Sequence, residues 1–92
     1  MHLVVCYDVA ADRNRAKLAK FLRGRLEHVQ KSVFEGVLAD RHWEELRSGI
    51  GKRIDRTTDT VRVYELCGRC TGLVEVIGSG NLVDDEQEDV VV

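Results

Sequence analysis

The stretch Leu3-Val4-Val5-Cys6-Tyr7-Asp8 decides how the chain reads: four apolar residues run straight into a tyrosine and an acid. A short apolar, β-branched run near the start of a small domain predicts a buried central strand. Asp8 closes it, and a helical pattern opens within a few residues. A carboxylate at the C-terminal end of a buried strand lies at the rim of a sheet, where sites in α/β arrangements usually lie. The plainer reading is that Asp8 ends the strand and caps a turn over Val9 to Asp12, because aspartate is a common cap and turn residue.

Working outward, Asp12 reads as the N-cap of a helix through Arg25 or Leu26. Its apolar face is Leu18, Ala19, Leu22 and Leu26, with Phe21 at the margin. Arg13, Lys17 and Lys20 form a basic stripe on the opposite side, and Arg23 and Arg25 flank the far end. Such a stripe is either a solvated face or a surface that tracks phosphates. Arg15 falls in the first turn on the sheet-facing side, near the end of the first strand, where it could pair with Asp8 or hold a phosphate beside it. His28 to Leu38 then alternates, as one long strand or as two short strands bent around Ser32 to Phe34. Gly36 marks a bulge or a close backbone approach. Asp40 opens a second helix, with Trp43, Leu46, Ile50 and Ile54 at helical spacing, which Gly49 and Gly51 weaken. Thr60 to Leu66 is a strand of strict alternation, Cys67 to Gly72 a turn, and Leu73 to Gly78 the returning strand of a hairpin. The order predicts an α+β fold: a mixed sheet with both helices on one face, the ferredoxin-like βαββαβ plan.

A chain of 92 residues supports one domain, placed over residues 1–78. At this size a single core is only modestly stable, so oligomerisation is a plausible aid. Residues 79–92 read as an acidic linker followed by an end strand, Val90 to Val92, which needs a sheet edge, one that a second copy could supply. The formal charge of −2 conceals a segregation: Asp84 to Asp89 holds five of the 16 acids, so residues 1–83 carry 14 bases against 11 acids, net +3. No apolar stretch approaches the roughly 20 residues of a membrane span, and the N-terminal run is too short for a signal peptide. Three cysteines, an odd count, fit reduced thiols, and a cytoplasmic location follows by default.

Several chemistries find no motif here: there is no Gly-rich phosphate loop, no Gly-x-Ser-x-Gly elbow and no aromatic RNA-recognition strand. Cys67-x-x-Cys70 is half a zinc ribbon without a second pair, whereas zinc takes four ligands; a site shared across a dimer is the zinc reading, a plain hairpin turn the other. A thioredoxin-type pair needs a helix start rather than a hairpin. A lone acid is likewise a poor Mg²⁺ site, since the ion is usually held by one or two carboxylates with waters and phosphate. A two-fold dimer that brings Asp8 to its mate offers two carboxylates, which could hold one ion that lowers the pKa of a bound water and stabilises a phosphodiester under attack. Phe34 could equally be core or a surface on which a base stacks.

The strand ending Val5-Cys6-Tyr7-Asp8-Val9, the basic helix, Val29-Gln30-Lys31-Ser32-Val33-Phe34-Glu35-Gly36 and Val74-Glu75-Val76-Ile77-Gly78 together resemble the small CRISPR-associated spacer-acquisition proteins of the Cas-two (Cas2) family. The resemblance spans residues 1–78. It implies a ferredoxin-like homodimer whose C-terminal strand packs on the partner's sheet. It implies Asp8 as the metal ligand at the two-fold interface, for Mg²⁺ or Mn²⁺. Tyr7, Asp8, Arg15 and Phe34 carry over as catalytic-site residues, and Lys17 stands in for a second base of the family's first helix; the stripe read above adds Arg13, Lys20 and Arg23 to Arg15 and Lys17 as the residues toward nucleic acid. It further implies metal-dependent cleavage of RNA or double-stranded DNA, and partnership with the CRISPR integrase, Cas-one (Cas1). An adaptor without catalysis, bridging integrase dimers on prespacer DNA, is the alternative; a toxin-like RNase of similar fold is a third reading.

Overall fold

The structure, a computed structural model, describes residues 1–80, 82 and 83. Strand β1 (His2–Asp8) leads into helix α1 (Asp12–Arg23), and strands β2 (Glu27–Gln30) and β3 (Val33–Val37) follow. A single 3₁₀ turn (Asp40–His42) opens helix α2 (Trp43–Gly51), and strand β4 (Thr60–Leu66) precedes a one-turn helix, α3 (Gly68–Thr71). The sheet order is β2-β3-β1-β4. This is the expected ferredoxin-like α+β plan, with one correction. Every neighbouring pair is antiparallel, so the sheet is not mixed. Each helical crossover links two parallel strands that have a third strand inserted between them, and the parallel relation never becomes a ladder.

Alternation along β1 sets the layers. Leu3, Val5 and Tyr7 are buried, and Val4, Cys6 and Asp8 point to the other face. The buried set joins Phe34 of β3, Leu18 and Leu22 of α1, and Leu46 and Ile50 of α2 in one core. Both helices therefore cover one face of the sheet, and burying each large aliphatic there contributes about 1.5–3 kcal/mol. The ambiguous segment 28–38 is two strands, paired antiparallel with Val33 opposite Gln30, and the bulge falls between His28 and Gln30. Gly36 serves close approach instead: a Cβ there would lie 2.8 Å from Leu26 Cδ2. Gly49 is similar, since a Cβ would meet Phe21 Cζ at 2.1 Å. The glycine that weakens α2 thus lets α1 and α2 approach.

Two local expectations fail. Asp12 is not the N-cap of α1; Ala11 is, without a side-chain bond, and Asp12 stands in the first turn. Cys67 to Gly72 does not reverse the chain. Cys67 caps α3, its sulfur accepting the Cys70 N–H at 3.3 Å. This helical turn redirects the backbone, so Leu73 to Gly78 forms no strand beside β4. The segment instead faces β2 and β3 across a cleft of about 670 Å³, lined by residues such as Glu27, Val33, Glu35, Val74, Val76 and Val83. The proposed end strand Val90 to Val92 and the acidic run 84–89 lie outside the described residues.

Candidate metal and nucleic-acid site

Asp8 ends the central strand opposite Thr60 of β4, exposed on the face that the helices leave open. Among the described residues no hydrogen bond or ion pair engages its carboxylate. The capping role that the plainer reading gives Asp8 belongs to Asp59. That carboxylate accepts the Ala10 N–H at 3.0 Å and the Asp55 N–H at 2.8 Å, with the Thr58 hydroxyl at 3.1 Å. It staples the β1–α1 loop to the start of β4. These donors, the Ala10 N–H first and then the Asp55 N–H, hold its pKa below the ordinary carboxylate value by favouring the charged form. Nothing in the local sequence distinguishes Asp59 except that an acid precedes a strand after a polar connection, and the sequence reading passes over it.

Arg15 lies where its helical position predicts but does not pair with Asp8. Its guanidinium donates to the Val9 carbonyl at 2.7 Å and to the Asp12 carboxylate. It holds the loop just past Asp8 from within the same segment. Tyr7 points into the core and is 7% exposed. Burial raises its pKa, against the opposing charges of Arg23 and Arg15, so the ring is a neutral phenol near neutrality. Its hydroxyl reaches the Lys31 carbonyl at 3.4 Å, while its backbone N–H donates to the Ser32 carbonyl at 3.1 Å. Phe34 is fully buried, with its ring centroid 4.3 Å from His28 and 6.2 Å from Tyr7. It has no free face for a nucleic-acid base, so of the two readings of Phe34 the core one holds. Tyr7 and Phe34 brace β1 from beneath and do not line a surface.

The basic residues divide. Arg25 is engaged in packing, its guanidinium 4.1 Å from the Phe21 ring centre and 3.8 Å from Glu45, with Arg53 on the same ring at 4.1 Å. Arg13, Lys17, Lys20 and Arg23 are exposed along α1, and none makes an ion pair among the described residues. The structure thus brings Asp8 and Arg15 to one end of β1, puts Tyr7 and Phe34 beneath it, and sets the cationic stripe on the outside of α1. Among the described residues no three His, Cys, Asp or Glu side chains gather as a metal-holding group. The chemistry Asp8 offers is one exposed hard oxygen ligand, which suits a hydrated divalent cation and does not complete a site alone. No helix among the described residues is long and apolar enough to cross a membrane.

Comparison with known proteins agrees with the fold. Residues 1–73 match the family model described as CRISPR associated protein Cas2. A Chloroflexus aurantiacus protein named CRISPR-associated endoribonuclease Cas2 1 is 33% identical over 93 aligned positions, covering 100% of both chains. The crystal structure of a hypothetical protein from Thermus thermophilus superposes with a TM-score of 0.77 at 40% identity, over 88% of this chain and 94% of that one. A chain of a solved partial Cas6-RT-Cas1–Cas2 complex superposes with a TM-score of 0.69 at 30% identity, over 83% of each chain. With its sheet order, its open-faced aspartate and these matches, the chain belongs to the CRISPR-associated Cas2 family.

Proposed function

We propose that the chain is a metal-dependent endonuclease of CRISPR spacer acquisition, cleaving phosphodiesters of RNA or double-stranded DNA in the cytoplasm. It works as a two-fold homodimer in which Asp8 of both copies holds one Mg²⁺ or Mn²⁺. The observation that carries this reading is the state of Asp8: exposed, at the end of the central strand, and free of hydrogen bonds and ion pairs among the described residues. A carboxylate left unengaged beside one as thoroughly bonded as Asp59 is available for a ligand. An isologous contact across the open face would supply the second carboxylate that one chain lacks. Leu73, Val76, Ile77 and Leu82 are exposed, and association would remove such apolar surface from water. The endoribonuclease name of the Chloroflexus relative supports the activity, and the solved assembly containing Cas1 supports the integrase as partner.

Bound between the two carboxylates, the ion would supply a water of lowered pKa and charge stabilisation at the phosphodiester. The chain's own residues position and attract. Arg15 grips the Val9 carbonyl and Asp59 the Ala10 N–H, so the loop after Asp8 is held from both sides. Tyr7 and Phe34 keep β1 in register from the core. Arg13, Lys17, Lys20 and Arg23 present cations to the phosphate backbone. The test is cleavage of single-stranded RNA and of duplex DNA by wild type and Asp8→Ala, with and without Mg²⁺. Cleavage that needs both the metal and Asp8 supports the proposal; cleavage by Asp8→Ala at the wild-type rate overturns it.

The cationic stripe favours a second reading, an adaptor that holds prespacer DNA for the integrase. It predicts intact spacer acquisition by Asp8→Ala and binding that weakens steeply with salt.

A further inference from the structure

The sequence reading set Cys67 and Cys70 aside because a hairpin turn lacks the helix start that a redox pair uses. The structure removes that objection. Cys67 is the cap and Cys70 the third residue of α3, and the Cys67 sulfur accepts the Cys70 N–H at 3.3 Å. The two cysteines thus bracket a single helical turn, with the backbone of one bonded to the sulfur of the other. Both are exposed, and a Cβ built on Gly68 between them meets no atom within 4 Å. Cys67, but not Cys70, also lines a groove of about 360 Å³ whose walls include Met1, His2, Val37, Glu65 and Leu66. A small thiol compound has room to approach Cys67 from that side.

We infer that Cys67 and Cys70 are a redox-active dithiol, with Cys67 as the attacking thiol and Cys70 as the resolving one, which exchanges with low-molecular-weight disulfides. The Cys67 thiolate attacks one sulfur of a disulfide RS–SR, forming a Cys67–SR bond and releasing RS⁻. Cys70 loses its proton, and its thiolate attacks Cys67 Sγ and expels the second RS⁻. Two protein thiols are oxidised to one bridge, and one small disulfide is reduced to two thiols. The polarity follows from the hydrogen bonds: the Cys70 N–H and then its thiol stabilise the Cys67 thiolate and lower its pKa, while donating to Cys67 raises that of Cys70. The bridge would close the turn whose Thr71 hydroxyl lies 3.0 Å from His2 Nδ1, fastening α3 to the start of β1. This is the opposite end of β1 from Asp8, so the inference does not depend on the nuclease reading.

The sequence provides a convenient assay, because trypsin cuts after Arg69 and separates the two cysteines unless a bridge joins them. The full chain is equilibrated in mixtures of reduced and oxidised glutathione, quenched in acid, alkylated, digested and weighed. The expected result is a linked peptide pair containing Cys67 and Cys70, reversed by a dithiol reductant, with Cys6 alkylated throughout. Cys70→Ser should trap glutathione on Cys67, and in the reduced protein Cys67 should alkylate about tenfold faster than Cys70 near neutral pH. Separate glutathione adducts on both cysteines of the wild type, bridges between chains, equal alkylation rates, or zinc retained by the pair would each overturn the proposal. Both cysteines are exposed, and a thermal melt of Cys70→Ser checks that the fold is kept.

Discussion

The two ends of β1 treat their polar groups in opposite ways. At the start, His2 is buried, and both ring nitrogens are used. Nε2 donates to Glu35 at 2.7 Å, which leaves Nδ1 to accept from the Thr71 hydroxyl at 3.0 Å. At the finish, Asp8 is exposed with no partner among the described residues, and the bonding that holds this end is delegated to Asp59 and Arg15. A buried polar group costs free energy unless it is paired, so the His2 end is committed to the fold. An exposed carboxylate with no partner contributes little to stability, which leaves Asp8 free for the metal-holding role proposed above.

If this contrast is right, substitutions at the two ends should separate activity from stability. The largest effect is at Asp8. Asp8→Ala should lower nuclease turnover by about 100-fold or more, the scale seen when a positioned catalytic group is lost. Its unfolding free energy should stay within about 0.5 kcal/mol of wild type, as for other surface changes. A denaturant melt beside the cleavage assay checks both. A large loss of stability in Asp8→Ala would break the contrast. His2→Ala is the converse. It strands the Glu35 carboxylate and the Thr71 hydroxyl and should destabilise by about 1–3 kcal/mol. Cleavage per folded molecule should be preserved, because the change lies at the far end of the strand.

How much of this could be read from the residues depends on whether the cause is local. The alternation of Leu3, Val5 and Tyr7 against Val4, Cys6 and Asp8 is written in the strand itself, and so are the buried faces of α1 and α2. The two-strand form of 28–38 is not. It depends on Val33 finding Cys6 and Gln30 as neighbours at once, a fact of the assembled sheet. Phe34 could be placed only once Tyr7 and His28 were known to flank it. Asp59 was illegible because its partner, the Ala10 N–H, is 49 residues away. The turn at Cys67 failed for a different reason. Its apolar run Leu73 to Ile77 has the composition of a strand, but a sulfur-capped helical turn aims that run away from β4.

The cationic stripe extends the contrast from the strand to the neighbouring helix. Arg25 is fixed over Phe21, whereas Lys17 and Lys20 have no ion-pair partner among the described residues. Lys20→Ala should therefore leave the melt unchanged and reduce the slope of log affinity against log salt by about 1, the share of one phosphate contact. Fluorescence anisotropy with a labelled duplex across a salt series reads the slope. An unchanged slope would return the stripe to a solvated face.

The smallest effect belongs to Asp59 and appears only in acid. Its carboxylate is held in the charged form by the Ala10 and Asp55 N–H groups, so its folded pKa lies below the unfolded value. The stabilisation is fully present above the unfolded pKa and is lost as pH falls through the folded one. Protonation in the folded state places a donor where the loop needs an acceptor. Stability should therefore decline below about pH 4, and Asp59→Asn, which cannot titrate, should flatten that part of the profile. Asp55 accepts from Thr57, with a pKa lowered in the same direction, so some acid dependence should survive in Asp59→Asn. The double variant Asp55→Asn/Asp59→Asn separates the two contributions. If Asp59→Asn reproduces the wild-type acid limb, the loop after Asp8 is held by Arg15 and not by this carboxylate, and the division of labour at that end of β1 would have to be redrawn around the guanidinium.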